Sequence, residues 1–277
     1  APSLAPPTRC LLVAAASMLP LVRRRLGLSP PRLLRAICSR AGSTRIGDTT
    51  VALRAAERIE LVGSANRSLL PSGSDSEETL ATLEWLAKKA LLRQDAMLLG
   101  ESVGTLRSLA FRFCEVTGRE AEHVSISRDT TESDLKQRRE IRGGSVVYSD
   151  LPVVQAAVNG RVLIIEGLEK AERNLLPILN NLLENREMQL DSGAFLVHPR
   201  RYDKLLAEGA TEADLAARQL VRCHDDFLVL VIGLPVPRFP GAPLDPPLRS
   251  RFQARAVAPP PPEARKAALA GLAPHAA

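Results

Sequence analysis

Apolar positions along this chain come in short unbroken runs, and between them lie stretches in which apolar residues recur at helical spacing. The sharpest run is Val162-Leu163-Ile164-Ile165, which stops on Glu166 and Gly167 and is followed by an amphipathic stretch. That pattern predicts a strand buried on both faces that presents a carboxylate at its C-terminal edge, the edge at which ligands bind to open α/β sheets. The same pattern also fits a plain buried strand capped by a solvated acid. A second run, Phe227 to Ile232, ends at Gly233-Leu234 before Pro235 and Pro237, neither of which can donate to a ladder. Shorter strands are predicted at Asp95–Gly100, from His123 and at Gln253–Val257.

Helical spacing fills the intervals. A helix over Glu77–Leu92 carries Leu80, Leu83, Leu86, Ala87 and Ala90 on one face, with a loop at Ser72 to Asp75 before it, Ser76 as N-cap and two acids in the first turn. Further helices are predicted at Leu109–Thr117, at Leu151–Val158 before Asn159-Gly160, and at Asn174–Glu187 with Pro177 in its first turn. The turn Asp191-Ser192-Gly193 predicts a hairpin within Met188–Val197. Arg200–Leu220 reads as a charged helical insertion, and a short helix ends at Phe252. His123 to Glu140 reads as a strand leaving into a charged connection, with Gly143-Gly144 and Tyr148 after it, and Thr44–Val62 as a lead-in. Strands and helices in alternation predict an α/β fold with a parallel sheet flanked by helices.

Composition narrows the function classes. Aromatic residues are 3% of the 277, so the core is built from Leu, Val, Ile and Ala, as suits helices on a parallel sheet. The formal charge of +6 is unevenly placed: eight arginines and no acid precede Asp48, which leaves −2 for the remainder. The folded part is therefore not basic, and nucleic acid is not the expected partner. Residues 1–42, Arg-rich and acid-free, read as an organelle-import presequence. A secretory signal is the rival for the apolar run Leu11–Val22, which is too short, and broken by Pro20, to span a membrane. The four cysteines show neither disulfide nor zinc spacing. The organisation expected is presequence 1–42, lead-in 43–76, nucleotide-binding core 77–257 and a Pro/Ala-rich tail 258–277.

The candidate chemistry lies between the first predicted strand and the helix after it. Gly100-Glu101-Ser102-Val103-Gly104-Thr105-Leu106-Arg107-Ser108 has the strand–turn–helix context of a phosphate loop. In such a loop backbone N–H groups converge on phosphate, a Lys meets the β/γ-phosphates and a Ser or Thr hydroxyl binds Mg²⁺. Here Thr105 stands at the second glycine, no lysine is present, and Arg107-Ser108 fits only if the loop is one residue longer. The stretch fits an ordinary strand-to-helix turn as well.

Long blocks then carry a resemblance: Ser127 to Arg142, Glu166 to Glu172, Asn180 to Leu190, Arg201 to Leu206 and Leu244 to Arg255. With them, the region Leu92–Val257 resembles the nucleotide-binding core of an AAA+ ATPase of the MoxR, midasin and dynein-related branch. More closely, these blocks resemble the first module of a long mitochondrial member with several such modules. The resemblance implies a P-loop NTPase fold, a five-stranded parallel sheet in the order 5-1-4-3-2, ATP and Mg²⁺ as cofactors, and other AAA+ modules or subunits of a ring as partners. It implies phosphate binding at Gly100, Gly104, Thr105, Arg107 and Ser108, and metal binding at Ser108 and Glu166. It places an arginine finger acting in trans at Arg251, with Arg249 as second candidate. Glu166-Gly167 stands where the family has two acids, so the acid that polarises the attacking water is missing, and the polar sensor position falls near Leu234. The implied function is an AAA+ ATPase module impaired in hydrolysis, or a non-hydrolysing assembly module. A mitochondrial location, a chain that is part of a longer protein, and an absent helical lid complete the expectation.

Overall fold

The computed structural model describes residues 42–62, 76–259, 262, 263 and 266. Residues 1–41 of the expected presequence, the loop at Ser72 to Asp75 and most of the expected tail lie outside these residues.

A hairpin of β1 (Ser43–Ile46) and β2 (Thr49–Ala52) opens the described part. Helix α1 (Glu77–Leu91) follows, with the Ser76 side chain accepting a hydrogen bond from the Thr79 N–H. It leads to β3 (Ala96–Gly100), α2 (Val103–Thr117) and β4 (Ala121–Ser125). Next come β5 (Gln137–Arg142), β6 (Ser145–Asp150), α3 (Pro152–Asn159) and β7 (Val162–Glu166). Beyond β7 lie α4 (Leu176–Asn185), β8 (Met188–Gln189), β9 (Phe195–Val197), α5 (Pro199–Ala207), α6 (Glu212–Ala217) and β10 (Leu220–Arg222). The chain returns through β11 (Leu228–Gly233), α7 (Pro246–Ser250) and β12 (Gln253–Val257).

Five of these strands form one sheet in the order β12-β3-β11-β7-β4, every neighbouring pair parallel. Ranked along the chain this is 5-1-4-3-2, the order expected. Alternation along the strands divides the core between two faces. Leu98, Ile164, Leu230 and Ile232 pack under α1 and α2 with Leu83, Leu86, Leu106 and Phe113. Met97, Leu163, Ile165, Val229 and Val231 pack under α3 and α4 with Val153, Leu179 and Leu182. Burial on both faces explains why β7 and β11 read as unbroken apolar runs rather than alternating ones.

Four elements differ from expectation. Helix α2 begins at Val103 rather than Leu109, because Ser102 caps it by accepting from the Thr105 N–H and because Leu106 already packs in the core. Leu80 is 44% exposed, since it lies in the first turn of α1 and the core-facing side chains begin at Thr82 and Leu83. The charged connection after β4 contains a hairpin, β5 with β6, turning on Gly143 and Gly144. Both glycines have positive φ, as a two-residue type I′ turn requires. The insertion Arg200–Leu220 holds two helices and ends on β10, which pairs parallel to β9.

Candidate functional site

The C-terminal edge of the sheet brings the candidate residues together, and the phase of the strands decides which of them meet. Val162, Ile164 and Glu166 project to the α2 face of the sheet, so the last side chain of β7 is a carboxylate directed at α2. Arg107, the fifth residue of α2, reaches it. Its Nε donates to Oε2 of Glu166 at 2.8 Å and its Nη2 donates to Oε1 at 2.7 Å, a two-pronged pairing of planar groups. His123 enters from β4, where it pairs in register with Ile164, and its Nε2 lies 3.1 Å from Oε2 of Glu166. The ring of Phe111 on α2 packs against the imidazole, with centroids 5.9 Å apart.

The Glu166 side chain is 10% exposed and that of Arg107 38%. Burial pushes the Glu166 carboxyl up, but the hydrogen bonds and charge of Arg107, with His123 behind them, outweigh it and hold the group below its ordinary value. The Arg107 guanidinium is raised in turn by the hydrogen bonds to Glu166, against the opposing effect of burial. Glu166 is thus an ionised carboxylate whose two oxygens are both held by a cation of the same chain.

The turn that precedes Arg107 is short. Only Glu101 and Ser102 separate the end of β3 from the start of α2, so Thr105, Arg107 and Ser108 lie on the helix and not in a loop around an anion. Gly100 sits in a tight place: a Cβ there would come to 3.0 Å from the Val257 carbonyl oxygen and 3.1 Å from the Leu106 side chain. Gly104 is exposed in the first turn, with only the Ser102 hydroxyl near the place of a Cβ. The Ser102 hydroxyl takes up the Thr105 N–H, one of the donors a helix N-terminus could offer to phosphate. Glu101 places a carboxylate in the turn itself, paired with Arg238 from the segment after β11.

Position 167 has no room for a second acid. Gly167 has φ +81°, and a Cβ would lie 2.9 Å from the Ile126 carbonyl oxygen. The residues present do not fit Mg²⁺ and a triphosphate in the arrangement implied by the sequence: the carboxylate is taken, the turn is contracted and it bears its own negative charge.

Two residues not singled out for the site belong to its surroundings. His123 was legible only as a strand residue; the signal for its contact is its register opposite Ile164, two residues from Glu166. Glu169 follows in a short 3-10 turn and is 4% exposed, and neither carboxylate oxygen has a hydrogen-bond partner among the described residues. Gly233 and Gly241 close over it, a Cβ at Gly233 falling 2.8 Å from Oε2. Leu234, near which the resemblance places the sensor position, follows the end of β11.

The arginine candidates separate. Arg251, just past α7, forms an ion pair with Glu184 of α4 and its side chain is one-third exposed. Arg249, on α7, is exposed and pairs with no acid among the described residues. No helix among those residues is long and apolar enough to cross a membrane.

Comparison with known proteins agrees with this topology. Residues 95–252 match the model of the AAA domain, dynein-related subfamily. Over 227 residues, 82% of this chain, the sequence is 51% identical to von Willebrand factor A domain-containing protein 8 of Mus musculus, and the match spans 12% of that protein. A crystal structure from Cytophaga hutchinsonii ATCC 33406, described provisionally as an ATPase, superposes with a TM-score of 0.51 at 11% identity. It covers 94% of this chain and 58% of its own, and carries the likeness at the level of fold. With the strand order, the strand-ending acid and the matched span in agreement, the chain belongs to the dynein-related subfamily of AAA domains.

Proposed function

We propose that this AAA+ module does not hydrolyse ATP and binds nucleotide weakly or not at all, serving instead as an assembly module beside other AAA+ modules or subunits. The observation that carries this is the two-pronged hold of Arg107 on Glu166. In the family a carboxylate at the end of this strand faces Mg²⁺ and the nucleotide; here a guanidinium meets it, and the charge that a metal would neutralise is already neutralised. The absence of a second acid at Gly167 supports the loss of hydrolysis, since a positioned general base contributes about 10²–10⁴-fold to such a step. Arg249, exposed and paired with no acid among the described residues, supports a role in trans, at a boundary with a neighbouring module. A mitochondrial matrix location is part of the same proposal and rests on the arginine-rich, acid-free stretch before Asp48.

The test is Mg-ATP binding to the chain by calorimetry, alongside Arg107→Ala and Glu166→Ala. The expected result is no saturable binding by the wild-type chain at millimolar ATP. Binding that is present and is lost in both variants would overturn the proposal and favour the second reading, a slow ATPase module in which the phosphates recruit Arg107 away from Glu166.

A further inference from the structure

The hairpin β5–β6 stands apart in its chemistry. Its base is fixed: Gln137, 7% exposed, donates to the Asp150 carboxylate at 2.7 Å and accepts the Ser192 N–H at 2.9 Å. Leu135 and Lys136 just before it are buried as well. Beyond that base, from Arg138 to Tyr148, every residue except Glu140 is exposed, and Glu140 is half-buried.

The register sorts the side chains into two faces. Arg139 opposes Tyr148 and Ile141 opposes Val146, so those four share one face, while Arg138, Glu140, Arg142, Ser145, Val147 and Ser149 share the other. Apart from Arg139, the first face is apolar and uncovered, with Ile141 77% exposed, Val146 45% and Tyr148 37%. A two-stranded hairpin is marginal in water unless its apolar face is packed, and among the described residues both strands here pair only with each other. The outer edge of β5 therefore offers unpaired backbone groups beside an apolar stripe, the geometry of strand addition.

Charge decides which chain would add. Glu140 is taken by Arg142, which donates to it through both Nε and Nη2. Arg138 and Arg139 have no ion pair among the described residues and lie on opposite faces at adjacent positions of β5. A strand laid along β5 meets one arginine on each face and an apolar side chain at Ile141. We propose that the outer edge of β5 is a docking surface for an extended acidic polypeptide in which carboxylates alternate with apolar residues, the carboxylates lying on the face of Arg138 and the apolar residues on the face of Ile141.

The test is fluorescence anisotropy with the whole chain and a labelled peptide alternating valine and glutamate over about ten residues, the length of a long strand. The controls are the same peptide with lysine for glutamate and a labelled single-stranded oligonucleotide. Saturable binding of the glutamate peptide alone is expected, weakened about tenfold or more by Arg138→Glu/Arg139→Glu and by Ile141→Asp, as for loss of central interface contacts. These positions are exposed, so the variants should unfold thermally as the wild type does. Binding of the lysine peptide or the oligonucleotide as tight as that of the glutamate peptide would overturn the proposal. So would glutamate-peptide binding indifferent to the variants, or none at all at millimolar peptide.

Discussion

Arg107 shows how much a single residue can redirect a site. A lysine at the start of such a helix is a compact point charge on a flexible stem, able to lean toward phosphate and leave the strand acid to a metal. An arginine brings a planar fork that matches a carboxylate, and Glu166 is the carboxylate within reach. Breaking the pair leaves a nearly buried carboxylate with His123 alone. Because the guanidinium is more than a third exposed, Arg107→Ala should cost about 1–2 kcal/mol rather than the ~3–5 of a fully buried pair. The pH dependence has a definite sign. The Glu166 carboxyl lies below its ordinary value of 4.5 in the folded chain. Its contribution is therefore complete above that value and is lost as pH falls through the depressed one. Urea denaturation of wild type and Arg107→Ala should show the stability gap widest near neutral pH and shrinking toward acid; a gap independent of pH would show that packing of the arginine stem, not the charge, is what the substitution removes. The partners were individually legible in the sequence, Glu166 by its place after four apolar residues and Arg107 by its place after a glycine turn. Their contact was not, because it depends on the face to which each side chain points, and that follows from where α2 begins.

At the scale of elements, strands buried on both faces were legible because unbroken apolar runs have few other solutions, and their order followed from the family's topology. What the periodicity missed was short or local. The start of α2 was obscured by Gly104 and by expecting a loop through Ser108, whereas Ser102 supplies the cap and Leu106 the first core contact. The β5–β6 hairpin was hidden by its arginines, since a solvated strand pair lacks the apolar alternation that marks a half-buried one. One cross-element tie was equally silent. Asp95, just before β3, accepts from Arg186 at the end of α4 and from the Val229 N–H of β11, both at 2.9 Å. The Arg186 guanidinium also lies 5.0 Å from the Phe227 ring centroid. The side chains of Asp95 and Arg186 are 5% and 16% exposed, so one substitution strands the other partner. Arg186→Ala should destabilise by about 3–5 kcal/mol, and Asp95→Asn in the same background should recover part of it by removing the stranded charge. Equal stability of single and double variants would show that the stacking on Phe227 carries the effect.

At the scale of the whole molecule, the chain matches 12% of the length of its mouse relative, and on the proposed reading a module that does not hydrolyse ATP acts only beside others. On the assembly reading, what it contributes is a surface, and α7 and the residue just past it offer two arginines, of which the sequence reading put Arg251 first and Arg249 second. Arg251 is committed within the chain to Glu184. Arg249 is exposed and unpaired among the described residues, and so is available across a boundary. The two substitutions should therefore separate stability from activity. Arg251→Ala should lower the midpoint of thermal unfolding of this chain, and Arg249→Ala should leave it unchanged. In an assembly in which a neighbouring module hydrolyses ATP at this boundary, Arg249→Ala should reduce that module's turnover by orders of magnitude, on the scale of about 10³–10⁵ known for a trans arginine. A turnover loss confined to Arg251→Ala, with its thermal unfolding unchanged, would reverse the assignment and imply that the Glu184 pair opens on assembly.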